Sequence, residues 1–131
     1  MLAKRKIRKV LIVDDNKVLR ELFNVILSRD GFVIGEAKNG KEALEKVIRN
    51  KPDAIILDIA MPGMNGFTVC QRLRENSNTK NIPIIFCTAK SREEISPYKT
   101  DIDEYIEKPF SVENVRKKIK SILLASGNRI E

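Results

Sequence analysis

Residues 10–13, 54–57 and 82–87 are runs of strand length without alternating polar positions, and each is closed by a polar residue: Asp14, Asp58 and Thr88. A strand with one wet face alternates apolar and polar side chains. A strand in a parallel sheet, covered by helices on both faces, does not. The segments between the runs carry the helical period. Over 17–29, Leu19, Leu22, Phe23, Ile26 and Leu27 recur on one face, and Asp30-Gly31 closes the pattern. Residues 32–37 read as a short second strand. The Asn39-Gly40 turn leads into a helix marked by Ala43, Leu44, Val47 and Ile48, and Pro52 stops it. After 54–57, the loop IAMPGMNG precedes a helix with a buried stripe of Phe67, Cys70 and Leu73, while Met61 and Met64 read as loop packing. EYIEK, 104–108, is a fifth strand, and Ser111 caps a last helix that buries Val112, Val115, Ile119, Ile122 and Leu123. Strand and helix alternating five times is the α/β pattern, here a doubly wound five-stranded parallel sheet.

At 131 residues, the chain has room for one domain with a substantial core. Its longest apolar runs are too short to span a bilayer, and no signal-peptide pattern opens it, so the expected compartment is the cytoplasm, with no membrane contact. Cys70 and Cys87 form no CxxC and read as free, packed thiols. With no histidine, a His-based triad or a His-ligated zinc site is excluded. The net charge of +7 is concentrated at the start: Lys4, Arg5, Lys6, Arg8 and Lys9 lie among the first nine residues, with no acid. Removing these five from the 25 lysines and arginines leaves 20 against 18 acids, so the excess is a leader and not a basic face. A second cluster, Arg116, Lys117, Lys118 and Lys120, lies in the last helix, where cations suit the helix dipole.

In a sheet of this type ligands bind outside the carboxyl ends of the strands, where strand order reverses. Asp14 and Asp15 close the first strand, Asp58 the third, Thr88 the fourth and Lys108 the fifth. Three carboxylates gathered in one cleft repel: two unit charges 4 Å apart cost about 4 kcal/mol at an effective dielectric of 20. A divalent hard cation removes that penalty, and Mg²⁺ takes oxygen ligands and often shares its shell with a phosphate. The other groups fit phosphoryl chemistry, with a carboxylate as nucleophile, an ammonium for charge and a hydroxyl for a hydrogen bond. Residue types alone leave the nucleophile open. Asp58 is favoured because it stands alone on the central strand.

VLIVDDN, AIILDIAMPGMNG, PIIFCTA and YIEKPF, in this order, resemble the receiver domain of two-component response regulators, and chemotaxis-type single-domain regulators in particular. The resemblance covers residues 7–125, leaving a basic leader at 1–6 and a tail at 126–131. It implies a flavodoxin-like fold with sheet order 2-1-3-4-5. It implies that Asp58 accepts a phosphoryl group from a histidine kinase phosphohistidine or a phosphotransfer protein. Mg²⁺ would be held by Asp14, Asp15, Asp58 and the backbone carbonyl of Ala60. Thr88 and Lys108 would grip the phosphoryl oxygens, and Tyr105 would be the switch aromatic that moves with Thr88. The Lys108-Pro109 bond would be cis. Such a chain is not an enzyme with an external substrate. It is a phospho-acceptor that catalyses its own phosphotransfer and dephosphorylation.

Between Thr88 and Lys108 the chain departs from the family pattern. Ser91 and Glu94 suit a capping box, but Pro97 follows, so the fourth helix is expected to be one turn or irregular. Small Ala60 leaves room for an attacking water, whereas Lys90 suits covering a phosphate, and the two pull the phosphate's lifetime in opposite directions. The short stretch after the last helix leads to the expectation of no DNA-binding output domain and of a downstream protein effector, and the broken fourth helix to the expectation of a monomer. The alternative is a pseudo-receiver, a binding module that takes no phosphate. A haloacid-dehalogenase-type phosphatase is disfavoured because Asp-Asp stands where that class has Asp-x-Asp, and a nucleic-acid binder lacks any supporting motif.

Overall fold

The computed structural model describes residues 8–98 and 102–125. The expected leader, 1–6, and tail, 126–131, lie outside the described residues, as does the side chain of Leu123. The elements run β1 Arg8–Val13, α1 Lys17–Arg29, β2 Phe32–Ala37, α2 Gly40–Arg49, β3 Ala54–Leu57, α3 Gly66–Glu75, β4 Ile84–Thr88, α4 Arg92–Ile95, a 3₁₀ turn Ser96–Tyr98, β5 Glu104–Glu107 and α5 Val112–Ala125. The five strands pair in parallel, in the order β2-β1-β3-β4-β5. This is the flavodoxin-like arrangement expected from the sequence.

The apolar runs are unbroken because successive residues of a strand serve opposite faces. Leu11, Val13, Ile55, Leu57, Ile84 and Phe86 pack with Ala43, Val47, Val69 and Leu73 from α2 and α3. Their neighbours Val10, Ile12, Ala54, Ile56, Ile85 and Ile106 pack with Phe23, Ile26 and Leu27 of α1 and with Val115 and Ile119 of α5. Among the described residues, no helix is long and apolar enough to cross a membrane.

Helix starts are fixed by side-chain caps, and these starts face the same edge of the sheet as the strand ends. Asn16, Asn39 and Asn65 accept the backbone N–H groups of Leu19, Glu42 and Thr68. Ser111 Oγ accepts from Asn114 N at 3.1 Å, the cap expected for α5. At the far end of α1, Gly31 takes φ +91°, a left-handed conformation that glycine adopts without strain. The fourth helix is a single turn held by the expected box: Ser91 N donates to Glu94 Oε1 at 2.9 Å and Glu94 N to Ser91 Oγ at 3.3 Å. The Lys108-Pro109 bond is cis.

Several local expectations are corrected. β1 starts two residues earlier, at Arg8, paired with Phe32. β4 starts at Ile84 and extends through Thr88, because Pro83 has no N–H to give the ladder, although its carbonyl still accepts from Ile55 N. β5 ends at Glu107, one residue short of Lys108. Leu22, Ile48 and Val112 are exposed, not buried. Leu22 and Ile48 each lie about 100° around their helix from a buried neighbour, Phe23 and Val47, which carries them off the packed stripe. Val112 is the first residue of α5, at the rim of the packed stripe.

Gly66 joins this framework to the strand ends. Its N–H donates to Ile59 O at 2.9 Å, and a Cβ placed on it would lie 2.4 Å from the Asp58 carbonyl oxygen and 2.7 Å from Ile59 Cα. Both obstacles are backbone and cannot rotate away. Gly66→Ala is expected to destabilise the fold by about 1–3 kcal/mol, as overpacking does, measured by urea unfolding. Wild-type stability in this variant would contradict the close approach.

Candidate functional site

Ladder hydrogen bonds carry the polar residues to one edge. Asp14 N donates to Ala37 O at 3.1 Å, Asp58 N to Val13 O at 2.9 Å and Lys108 N to Thr88 O at 2.9 Å. Each residue therefore sits one step beyond a strand, braced by its neighbour strand. Asp14 and Asp58 are buried, at 3% and 5% exposure, Thr88 is fully buried, and Asp15 is open to solvent.

Asp14, Asp15 and Asp58 each place a carboxylate oxygen within 4.8 Å of the others. Lys108 Nζ reaches into this group, 2.9 Å from Asp14 Oδ2 and 3.3 Å from Asp58 Oδ2. Burial pushes the Asp58 pKa up. The Lys108 charge opposes that rise and the Asp14 charge adds to it, and the net direction is upward. Burial works against the Lys108 ammonium, but the Asp14 hydrogen bond and the Asp14 and Asp58 charges outweigh it and hold its pKa above the usual lysine value. One ammonium thus offsets part of the repulsion among three carboxylates. The donor set is all hard oxygen, partly buried and open on the Asp15 side, which suits a small divalent cation that retains water. Ala60, the other expected ligand residue, is exposed beside Asp58, and its N–H donates to Asp58 Oδ1 at 3.3 Å.

The remaining expected residues meet around Lys90. Its N–H points at Thr88 Oγ1 (3.4 Å), its carbonyl accepts from the Tyr105 hydroxyl, and its ammonium lies 3.5 Å from Glu94 Oε2. Tyr105 is buried in the core cluster with Phe86 and Ile95. In this conformation Lys90 is turned toward Glu94. Cys70 and Cys87 are buried and form no disulfide, and burial pushes the Cys87 thiol up to about 12.

Two residues beside the site escape sequence reasoning. Arg20 Nη1 donates to the Asp14 backbone carbonyl at 2.8 Å, and Arg20 Nε donates to Glu36 Oε1 at 3.1 Å. Arg20 reads as a polar-face residue of α1 and Glu36 as a polar residue of an edge strand. The available signal is the position of Arg20 four residues after the Asn16 cap, one turn along, where a long side chain leans back over the loop.

A family model described as the response regulator receiver domain matches residues 10–120. Transcriptional regulatory protein ResD of Bacillus subtilis (strain 168) is 40% identical over 117 residues, spanning 88% of this chain and 48% of ResD. The DNA-binding dual master transcriptional regulator RpaA of Synechocystis is 32% identical over 117 residues, with 88% and 48% covered. The crystal structure of response regulator protein TrrA from Thermotoga maritima, in complex with Mg(2+)-BeF, superposes with TM-score 0.80 at 36% identity, covering 88% of this chain and 98% of that one. The chain spans about half the length of the curated relatives it matches.

These relatives correct the expectation of a protein effector with no DNA-binding output domain. ResD and RpaA are named as transcriptional regulators, RpaA as DNA-binding. The physical reason is that the cleft's residues serve its own chemistry and are indifferent to the output coupled to it. The length remaining after α5 carries no information on output.

The raised Asp58 pKa has a stability consequence. The native chain holds that proton more tightly than the unfolded chain, so stability falls as pH rises from the unfolded to the folded pKa, and above both the cost is constant. Without metal at pH 7, Asp58→Asn should therefore melt a few degrees above wild type in calorimetry. The gap should close as pH falls below about 4. Equal melting temperatures at pH 7 would contradict this burden.

Proposed function

The chain belongs to the response regulator receiver family, and we propose that it is a phosphorylation-driven switch in which Asp58 accepts a phosphoryl group from a histidine kinase phosphohistidine. The observation that carries this reading is the convergence of Asp14, Asp15 and Asp58 oxygens within 4.8 Å, with Lys108 Nζ 3.3 Å from Asp58 Oδ2. Asp14, Asp15, Asp58 and the Ala60 carbonyl would hold Mg²⁺. When bound, the ion supplies positive charge to the acids and to the phosphoryl oxygens.

In the forward reaction an Asp58 carboxylate oxygen forms a bond to phosphorus and the donor's P–N bond breaks, leaving an acyl phosphate and a free imidazole. Lys108 stands at Asp58 Oδ2 as the ammonium that neutralises the incoming group. Among the described residues Thr88 Oγ1 has only a long contact from Lys90 N, so its hydroxyl can turn to donate to a phosphoryl oxygen. In the separate dephosphorylation step water attacks phosphorus, the acyl P–O bond breaks, the Asp58 carboxylate is regenerated and inorganic phosphate leaves. Exposed Ala60 leaves the approach to Asp58 uncrowded.

A shift of Thr88 toward phosphate would disturb Lys90, the Tyr105 hydroxyl bonded to its carbonyl, and the one-turn α4 capped by Glu94. That sequence makes Thr88 and Tyr105 the switch pair. The relatives' names support transcriptional regulation as the output. Buried cysteines outside any disulfide suit the cytoplasm as the compartment.

The test is intact-mass measurement after incubation with acetyl phosphate. One phosphoryl group should be gained with Mg²⁺, and none without it or in Asp58→Ala. A folded chain that gains none would favour the pseudo-receiver reading, and a gain in Asp58→Ala would contradict the assignment of the acceptor.

A further inference from the structure

Glu36 sits on edge strand β2, and its carboxylate is used on both oxygens. Oε1 accepts from Arg20 Nε at 3.1 Å and Oε2 from Asn24 Nδ2 at 3.2 Å, while Lys46 Nζ caps the backbone carbonyl of the same residue. Arg20 is itself anchored where β1 turns into α1: its backbone N–H donates to Asn16 O at 3.1 Å and its Nη1 to Asp14 O at 2.8 Å. The Arg20 and Glu36 side chains are 14% and 32% exposed, so the pair is partly shielded from water.

A guanidinium cannot deprotonate in a protein, and it pairs more strongly with carboxylates than with a neutral carbonyl. Here it lies on the backbone oxygen of Asp14, a few ångströms by covalent geometry from that residue's own carboxylate. Three carboxylates lie within 4.8 Å of one another there. An arginine in that position with no partner of its own would turn to the acids and act as a tethered cation, competing with a dissolved one. Glu36 is a fourth carboxylate, and it engages the guanidinium at Nε while Nη1 meets the Asp14 carbonyl.

We propose that Glu36 is a positioning residue that holds Arg20 on the Asp14 backbone carbonyl and keeps it out of the cation site of Asp14, Asp15 and Asp58. The proposal rests on the reading of that cluster as a Mg²⁺ site. In this arrangement Arg20 braces the turn carrying both aspartates, and its charge is spent on Glu36. Asn24 fixes the second oxygen of Glu36, so the carboxylate stays oriented toward α1.

The experiment is calorimetric titration of MgCl₂, at matched ionic strength, into wild type, Glu36→Gln, Arg20→Gln and the double variant. Glu36→Gln should weaken Mg²⁺ binding on the order of tenfold, the lower end of what outer-shell changes do to metal sites. The double variant should return to the affinity of Arg20→Gln, because no guanidinium remains to be held back. Phosphorylation of Glu36→Gln by acetyl phosphate should reach the wild-type rate once Mg²⁺ is saturating, a shifted metal requirement that a merely loosened fold would not produce. Wild-type affinity in Glu36→Gln would overturn the proposal, and so would a double variant as weak as Glu36→Gln. Absence of Mg²⁺ binding by the unaltered chain would instead overturn the metal-site reading, and the proposal with it.

Discussion

The Lys108 ammonium, set between Asp14 and Asp58, is what permits two carboxylates to lie buried side by side at the end of a parallel sheet. Its position follows from the ladder: β5 pairs with β4, the Lys108 N–H closes on the Thr88 carbonyl, and the side chain is delivered across β4 to β1 and β3. One positive charge against three acids is an incomplete balance, and the pKa of Asp58 remains raised by burial. The site therefore keeps a standing affinity for further positive charge. A polar cleft of this kind reduces stability in exchange for chemistry, and the apolar packing on both faces of the sheet supplies the surplus that tolerates it.

Much of this was legible in the sequence because the physics that shapes the sheet also marks the site. A strand buried on both faces must be apolar throughout, so the first polar residue after it stands out. Asp14, Asp58 and Thr88 are visible in this way. Helix edges were less legible. Leu22 and Ile48 belong to the apolar pattern but lie at the margin of the stripe, where a rotation of one residue separates core from solvent. Pro83 hid the true start of β4 inside an apolar run. Arg20 and Glu36 were invisible for a different reason: charged residues on a helix face and an edge strand are ordinary, and only the fold pairs them and brings Arg20 to the Asp14 carbonyl. The output lay beyond reach altogether, since nothing in the cleft depends on it.

The region between β4 and β5 shows how a short element can be defined by contacts instead of length. α4 spans four residues, too few for helical cooperativity, and is held by the Ser91–Glu94 box. Glu94 serves that box with one oxygen and the Lys90 ammonium with the other. Lys90 in turn joins the Thr88 hydroxyl and the Tyr105 hydroxyl through its backbone. A displacement at Thr88 is thus one residue removed from both the aromatic and the helix cap, which gives the site a short path to the surface.

The central claim is that the acid cluster is a divalent cation site whose charge is under-compensated in the protein alone. Thermal unfolding across a MgCl₂ series, against NaCl of equal ionic strength, tests it most directly. The account predicts a saturable rise in Tm with Mg²⁺, equivalent to about 2.7 kcal/mol at a hundredfold excess over Kd, with no counterpart in NaCl. A Tm that follows ionic strength alone would contradict it.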